Sequence, residues 1–350
     1  KLSVTLDLAT PRGKELLLQL VAISDVLVEN FRATVMDRLG LGYEALAQVN
    51  PRLIYLKISS QGATGPERDY GSLGSTLEQT AGLASITGYK DGKPLMTNET
   101  FPDPVVGMLA VGVLMAALRQ RRQTGQGTFV DLAQREVTVA MLGEYVVDHS
   151  RTGRVPGPLG NRHPHHVPQG VYPCLGDDMW VALSIGTEAQ WRGLCQALGQ
   201  PGLAHDPRFA TLLARRQNQA ALDDIINTWT RAREHRQAMH LLQAHGVPAG
   251  AVLKGGEVIV DPHLEARGFW DVVHHPEVGP YRQVTTPWHL SQNPRRTVTP
   301  SPSLGEHNTY VLGTLLGLSS EEMAALEAQG IIGTRPLGAA EASVLPSAAG

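Results

Sequence analysis

Hydrophobic residues alternate at the start of the chain (Leu2, Val4, Leu6, Leu8), the period-two pattern of a half-buried strand. Thr10-Pro11 then opens a stretch in which Leu16, Leu17, Leu20 and Val21 recur at helical spacing. Residues 25–31 and 53–58 are short apolar strands, and residues 43–49 between them are helical. Strand, helix, strand, helix, strand predicts a parallel sheet with helices on its faces, the α/β class. In such sheets ligands gather outside the carboxyl ends of the strands. Glu29-Asn30-Phe31-Arg32 lies at one of those ends.

The longest apolar run follows Phe101-Pro102-Asp103-Pro104 and extends from Val105 to Leu118. Asp before Pro is a helix-start pattern: the carboxylate caps free N–H groups, and Pro is tolerated at the first helical position. The run is apolar on nearly every side, which predicts a buried helix. It contains Gly107 and Gly112 and is too short to span a bilayer. A carboxylate at the positive end of a buried helix suits anionic catalysis. Capping alone would also account for an Asp in that place.

Gly125 and Gly127 break the chain, followed by a strand at 128–132 and a helix at 136–147. Residues 151–170, rich in Pro, Gly, Arg and His, mark the best domain boundary. Beyond it come a strand at 179–185 and helices near 187–198, 216–230 and 234–245. Residues 252–260 and 276–304 are expected to be extended. Ser319-Ser320-Glu321-Glu322 caps a last helix, and the Ala-, Ser-, Pro- and Gly-rich end (336–350) is expected to be a mobile tail.

With 350 residues the chain can hold two domains. Its net charge of −3, with acids and bases mixed, argues against nucleic acid or an anionic membrane as partner. Cys174 and Cys195 lack metal-ligand spacing and are expected to be reduced thiols in a cytoplasm. Gly40-Leu41-Gly42-Tyr43-Glu44-Ala45 loosely fits a dinucleotide fingerprint but does not directly follow a strand. Gly71-Ser72-Leu73-Gly74-Ser75 only resembles a hydrolase nucleophile elbow. His163, His165 and His166 cluster in one loop. No cysteine, and no carboxylate nearer than Asp177, completes a metal-ligand set there. A loop that closes on a ligand is the better reading.

Several phrases, in order along residues 1–332, together resemble the class III CoA-transferases, the family of formyl-CoA transferase and crotonobetainyl-CoA:carnitine CoA-transferase. They include the segment from Lys1 to Leu8, Asp25-Val-Leu-Val-Glu-Asn-Phe-Arg32 and Asp37-Arg-Leu-Gly-Leu-Gly-Tyr-Glu44. Asn50-Pro-Arg-Leu-Ile-Tyr55, Thr87-Gly88 and Asp103 with its helix follow. Thr124-Gly-Gln-Gly127, Gly160-Asn-Arg-His163 and Leu304-Gly-Glu-His307 complete the series.

The resemblance implies a large Rossmann-like domain (1–155 with 270–335), a smaller α+β domain (160–255) and an interlocked, ring-like homodimer. It implies exchange of CoA between an acyl-CoA and a carboxylic acid, with Asp103 as nucleophile and no permanently bound cofactor. Leu6, Asn30, Phe31 and Arg38 match CoA-contacting positions. The loop with His163, His165, His166 and Gln169 falls near a mobile loop over the active site. Formyl-CoA transferase has Lys and Tyr contacts where this chain has Gly71 and Leu73, so those contacts do not carry over. The family also begins with about fifty to sixty further residues that carry the first strand of the nucleotide-binding domain. An acyl-CoA racemase of the same fold is the alternative, but Ser72-Leu73-Gly74-Ser75 offers no proton carrier where that reaction needs one. A non-catalytic CoA-binding homologue is the third reading.

Overall fold

The computed structural model describes residues 1–90, 92–97, 99–293 and 298–336. The expected tail at 336–350 lies outside these residues except for Pro336. The first half of the chain forms helices α1 (Pro11–Ala22), α2 (Val35–Arg38), α3 (Tyr43–Val49), α4 (Gly74–Thr80), α5 (Leu83–Ile86), α6 (Pro102–Thr124), α7 (Gln134–Met141) and α8 (Gly143–Thr152). Strands β1 (Val26–Glu29), β2 (Ile54–Ser59) and β3 (Thr128–Ala133) lie among them. The second half adds β4 (Gln169–Pro173), β5 (Trp180–Ser184), α9 (Glu188–Ala197), α10 (Leu212–Gln217), α11 (Gln219–Thr230), α12 (His235–Ala244) and β6 (Ala249–Val252). Then come α13 (Gly255–Val258), α14 (Pro262–Ala266), β7 (Trp270–His275), β8 (Gly279–Val284) and α15 (Ser320–Ala328).

The expected parallel sheet is present, in the order β1-β2-β3 with both pairs parallel. Its central strand is the most buried: Ile54, Tyr55 and Leu56 are inaccessible to solvent. Helix α1 starts as the sequence predicts. The Thr10 hydroxyl accepts the Gly13 N–H at 3.1 Å and Pro11 takes the first helical position. Val21, Met36, Leu41, Leu46, Leu53 and Tyr55 form one core between α1, α3 and the sheet. Leu16 belongs to a second, which it shares with Val311, Leu312, Leu326, Ile331 and Ile332. The end of the chain thus packs on its beginning.

The second half builds a separate antiparallel sheet, β4-β5-β6. Trp191, Leu194, Phe209, Leu222, Ile226, Leu242 and Val181 form one dense core there. Helix α9 opens on a reciprocal capping box: the Thr187 hydroxyl accepts Gln190 N–H, and Gln190 Oε1 accepts Thr187 N–H.

Five expectations are corrected. Residues 1–7 form no strand; Asp7 N–H donates to Ile331 O at 2.8 Å and Thr5 N–H to Asn308 Oδ1 at 2.9 Å. The helix expected at 136–147 begins at Gln134 and breaks at Leu142 into α7 and α8. Within 252–260 only the end of β6 is a strand, because Glu257 accepts Lys254 N–H and starts the short α13. Helix α6 begins at Pro102, so Phe101 is its cap and Asp103 stands in its first turn. Nor is α6 buried: Val106, Ala110 and Ala117 face the protein, while Met108, Val111 and Met115 are each more than 60% exposed. At 23 residues it is long and apolar enough to cross a membrane by length and composition. It packs, however, against β2, β3, α4 and α7.

Candidate active site

Asp103 opens onto a cavity of about 720 Å³ at the carboxyl ends of the three parallel strands. Its walls are residues 30–33 after β1, Ser59 and Ser60 around the end of β2, Arg68, residues 70–74 and Thr76 leading into α4, and Gln134 after β3. Each stretch leaves the sheet where a strand ends, so the sheet itself gathers them.

The carboxylate is oriented from two sides. Buried Gln134 donates its side-chain N–H to Asp103 Oδ1 at 2.8 Å. The other oxygen, Oδ2, points at Gly74, where a Cβ would collide with it and with Thr100 Cβ. Gly74 is therefore a close-approach position. The backbone that delivers Asp103 is anchored by Glu78, which is fully buried. Its carboxylate accepts Thr97 N–H at 2.7 Å, the Thr97 hydroxyl at 2.6 Å and Phe101 N–H at 3.2 Å. Between these anchors Thr100 has φ = +46°, a strained conformation for a β-branched residue. Its carbonyl accepts Asp103 N–H at 2.9 Å.

The opposite wall has its own buried support. Glu29 accepts Phe31 N–H at 2.6 Å and the Tyr55 hydroxyl at 3.1 Å. Lys57 lies 3.6 Å from Glu29 and donates to Ala33 O. Burial and the adjacent Glu29 push the Tyr55 phenol above its ordinary range, so it remains a donor. These three side chains fix the loop that carries Asn30, Phe31 and Arg32.

A second cavity of about 780 Å³ adjoins the first through Ala33 and Arg68. Arg38 lines it, opposite an aromatic cluster in which Phe129 lies 5.6 Å from both Tyr43 and Tyr55. The structure thus brings Asp103, Asn30 and Phe31 to one cavity and Arg38 to the next.

Leu6 lines neither; it packs against the core of Leu16 and Leu312. The histidine loop lines neither as well. His163 Nδ1 accepts the N–H groups of His165 and His166, and its ring stacks 4.4 Å from His166. Desolvation and the two neighbouring rings lower the pKa of His163. His166 pairs with the Ser184 hydroxyl at 2.9 Å, and that hydroxyl donates to Gln169. Gln169 lines a separate cavity of about 520 Å³ with Tyr89, Lys90 and Arg162. Among the described residues no group of three or more His, Cys, Asp or Glu could hold a metal ion.

Sequence reasoning missed Gln134, Glu78 and Lys57, and noticed Glu29 only as part of the segment at a strand end; each acts through a side chain that spacing does not reveal. It noticed Gly71 and Gly74 only for what they lack: a hydrolase nucleophile elbow, a family contact to CoA and a racemase proton carrier.

Residues 1–308 match the family described as CoA-transferase family III, and the chain belongs to it. It is a transferase enzyme, of a family that acts on CoA thioesters and carboxylates and keeps no permanently bound cofactor. It is 36% identical over 332 residues to the succinyl-CoA–D-citramalate CoA-transferase of Chloroflexus aurantiacus, covering 95% of this chain and 82% of that one. It is 35% identical over 315 residues to the succinate–glutarate CoA-transferase of Agrobacterium fabrum, covering 90% and 78%. The crystal structure of a CaiB/BaiF family protein from Brucella suis matches with a TM-score of 0.81 at 31% identity, covering 89% of this chain and 81% of that one.

Proposed function

We propose that this enzyme moves CoA from an acyl-CoA to a free carboxylic acid through covalent intermediates on Asp103. The observation that carries this reading is the Asp103 carboxylate in its cavity, one oxygen held by Gln134 and the other open beside Gly74. The carboxylate attacks the thioester carbonyl, the C–S bond breaks, and CoA leaves as thiolate. The product is a mixed anhydride between Asp103 and the acyl group. The thiolate then attacks the aspartyl carbonyl, which releases the first acid as its carboxylate and leaves an aspartyl-CoA thioester. An acceptor carboxylate repeats both steps in reverse and restores Asp103. Carboxylate and thiolate exchange at each step, so no proton carrier is needed. The cavity fits that economy: Asp103 is the one carboxylate among its lining residues, and no histidine is among them. A racemase would need proton carriers on both faces of its substrate.

Coenzyme A fits the adjoining groove. The Arg38 guanidinium suits phosphates, and the ring cluster of Tyr43, Tyr55 and Phe129 suits adenine. Asn30 and Phe31, at the first cavity, suit the pantetheine arm. The exposed face of α6 supports a homodimer, since apolar surface of that extent on a soluble protein marks an interface. The free, buried Cys174 and Cys195 support a cytoplasmic location; burial pushes Cys195 up to about 11.

The test is intact mass after exposure to a panel of acyl-CoAs, with and without hydroxylamine. A hydroxylamine-sensitive adduct that disappears in Asp103→Ala is expected. Turnover near wild type in that variant would sink the reading.

A further inference from the structure

Arg32 stands on the wall of the Asp103 cavity, and among the described residues its guanidinium has no hydrogen-bond or ion-pair partner. The cavity's other guanidinium, Arg68, lies 3.6 Å from Asp69. Arg32 is therefore the uncompensated cation facing the space where the acyl group must lie.

Its side chain has room there because position 71 is glycine. The guanidinium lies against Gly71, where a Cβ would fall 2.6 Å from one nitrogen and 2.8 Å from the central carbon. Any side chain at Gly71 would push it away. Three residues on, Gly74 makes the same room for the Asp103 carboxylate. One short segment thus borders the Arg32 guanidinium at one end and the Asp103 carboxylate at the other. Three residues of chain span at most about 10 Å. A four- or five-carbon acyl chain with a carboxylate at its far end is of a length that fits within that limit. It needs about 3 Å to the attacking oxygen at one end and a contact of about 2.8 Å to the guanidinium nitrogens at the other. The planar fork of Arg32 pairs with a carboxylate through two parallel hydrogen bonds.

We propose that Arg32 is a specificity-determining residue that receives the distal carboxylate of a dicarboxylic acyl group, which makes dicarboxylyl-CoA thioesters and dicarboxylic acids the preferred substrates. This rests on Asp103 being the nucleophile. The adjoining groove proposed for CoA has its own guanidinium, Arg38, which leaves Arg32 for the acyl end.

Succinyl-CoA and butyryl-CoA have acyl chains of equal length, one ending in a carboxylate and the other in a methyl group. The experiment measures kcat/KM for both with the wild type, Arg32→Met, Arg32→Lys and Arg38→Met. The wild type is expected to prefer succinyl-CoA. Arg32→Met should lower the succinyl-to-butyryl ratio about ten- to a hundred-fold, the scale of one charged hydrogen-bonded contact. Arg32→Lys should fall between, and Arg38→Met should reduce both substrates alike. Absence of a wild-type preference overturns the proposal. So does an equal loss for both substrates in Arg32→Met, which would put the guanidinium on CoA itself. Adduct formation separates the two levels of failure. If hydroxylamine-sensitive adducts form but the ratio does not move, only the Arg32 assignment is wrong. If no adduct forms with any thioester, the Asp103 reading fails and the assignment with it.

Discussion

The second half of the chain closes its own core, whereas the first half leaves apolar surface open around its site. Around β4-β5-β6, Trp191, Leu194, Phe209, Leu222 and Ile226 are wholly or almost wholly removed from solvent in one cluster. Around β1-β2-β3 the buried residues fall into two smaller clusters, and Met108, Val111 and Met115 on α6 face solvent. The difference follows from sheet type. An antiparallel sheet can bury one face and expose the other, but a parallel sheet needs cover on both. The half with incomplete cover also carries Asp103, a strained Thr100 and two close-approach glycines. The dense core sits in one region and the candidate site in the other.

The strongest way to break this comparison is Arg215→Met. Arg215 is buried in the second half, stacks 5.0 Å over Trp191, and donates to Val167 O and Phe209 O at 3.2 Å each. Its loss strands two buried carbonyls, at about 1–3 kcal/mol each. A drop of about 3–5 kcal/mol is expected, within the range for disrupting a buried charged group. Hydrogen exchange should show lost protection in β4-β5-β6 and unchanged protection in β2. Equal loss in both would mean that the two halves unfold as one unit.

Gly74→Val should come next, and it acts on the other half. The added side chain displaces the Asp103 carboxylate and Thr100 without touching the dense core. Turnover should fall by at least about a hundred-fold, as misplacing a reacting group by an ångström does, while the melting temperature changes little. A variant that melts early but keeps its specific activity would show that Gly74 serves folding rather than the site. A smaller effect is expected from Val111→Glu on the exposed face of α6. Light scattering should show the dissociation constant of the proposed dimer rise about ten-fold or more, the cost of placing a charge in an apolar interface. An unchanged mass across dilution would remove α6 from any interface.

How much of this was legible beforehand depended on whether the partner of each residue was local. Thr10-Pro11 and Ser319 with Glu322 start helices as read, because each cap is satisfied within three residues. The alternation of residues 2–8 is not a strand, and of its apolar positions only Leu6 and Leu8 are half-buried while Leu2 and Val4 are exposed. Its backbone partners are Ile331, His307 and Asn308, about three hundred residues away. The apolarity of α6 likewise says that cover is needed, not that this chain supplies it. Asp103 was visible as a carboxylate at a helix start. Its grouping with Arg32, Gly71, Glu78 and Gln134 was not, because the fold alone brings positions 32, 71–78, 103 and 134 together.

The smallest expected effect lies in the dense half, at Glu188. Its carboxylate pairs with Arg215 at 2.5 Å, and that hydrogen bond holds its pKa below the ordinary value for Glu. A depressed folded-state pKa means that the native protein holds the proton less tightly than the unfolded chain does. The resulting stabilisation is fully present above the unfolded value of about 4.3 and is lost as pH falls through the folded one. Glu188 is 55% exposed, so water screens the pair and its contribution is at most about 1 kcal/mol. Glu188→Gln keeps an acceptor for Arg215 and removes the titration. Denaturant unfolding should therefore show the variant less stable than wild type above about pH 5, with the gap closing toward pH 3. A gap of constant size across that range would mean that Glu188 contributes through packing and hydrogen bonding alone. The buried Arg215 would then be held by its two carbonyls and Trp191, and the dense half would owe nothing measurable to its ion pair.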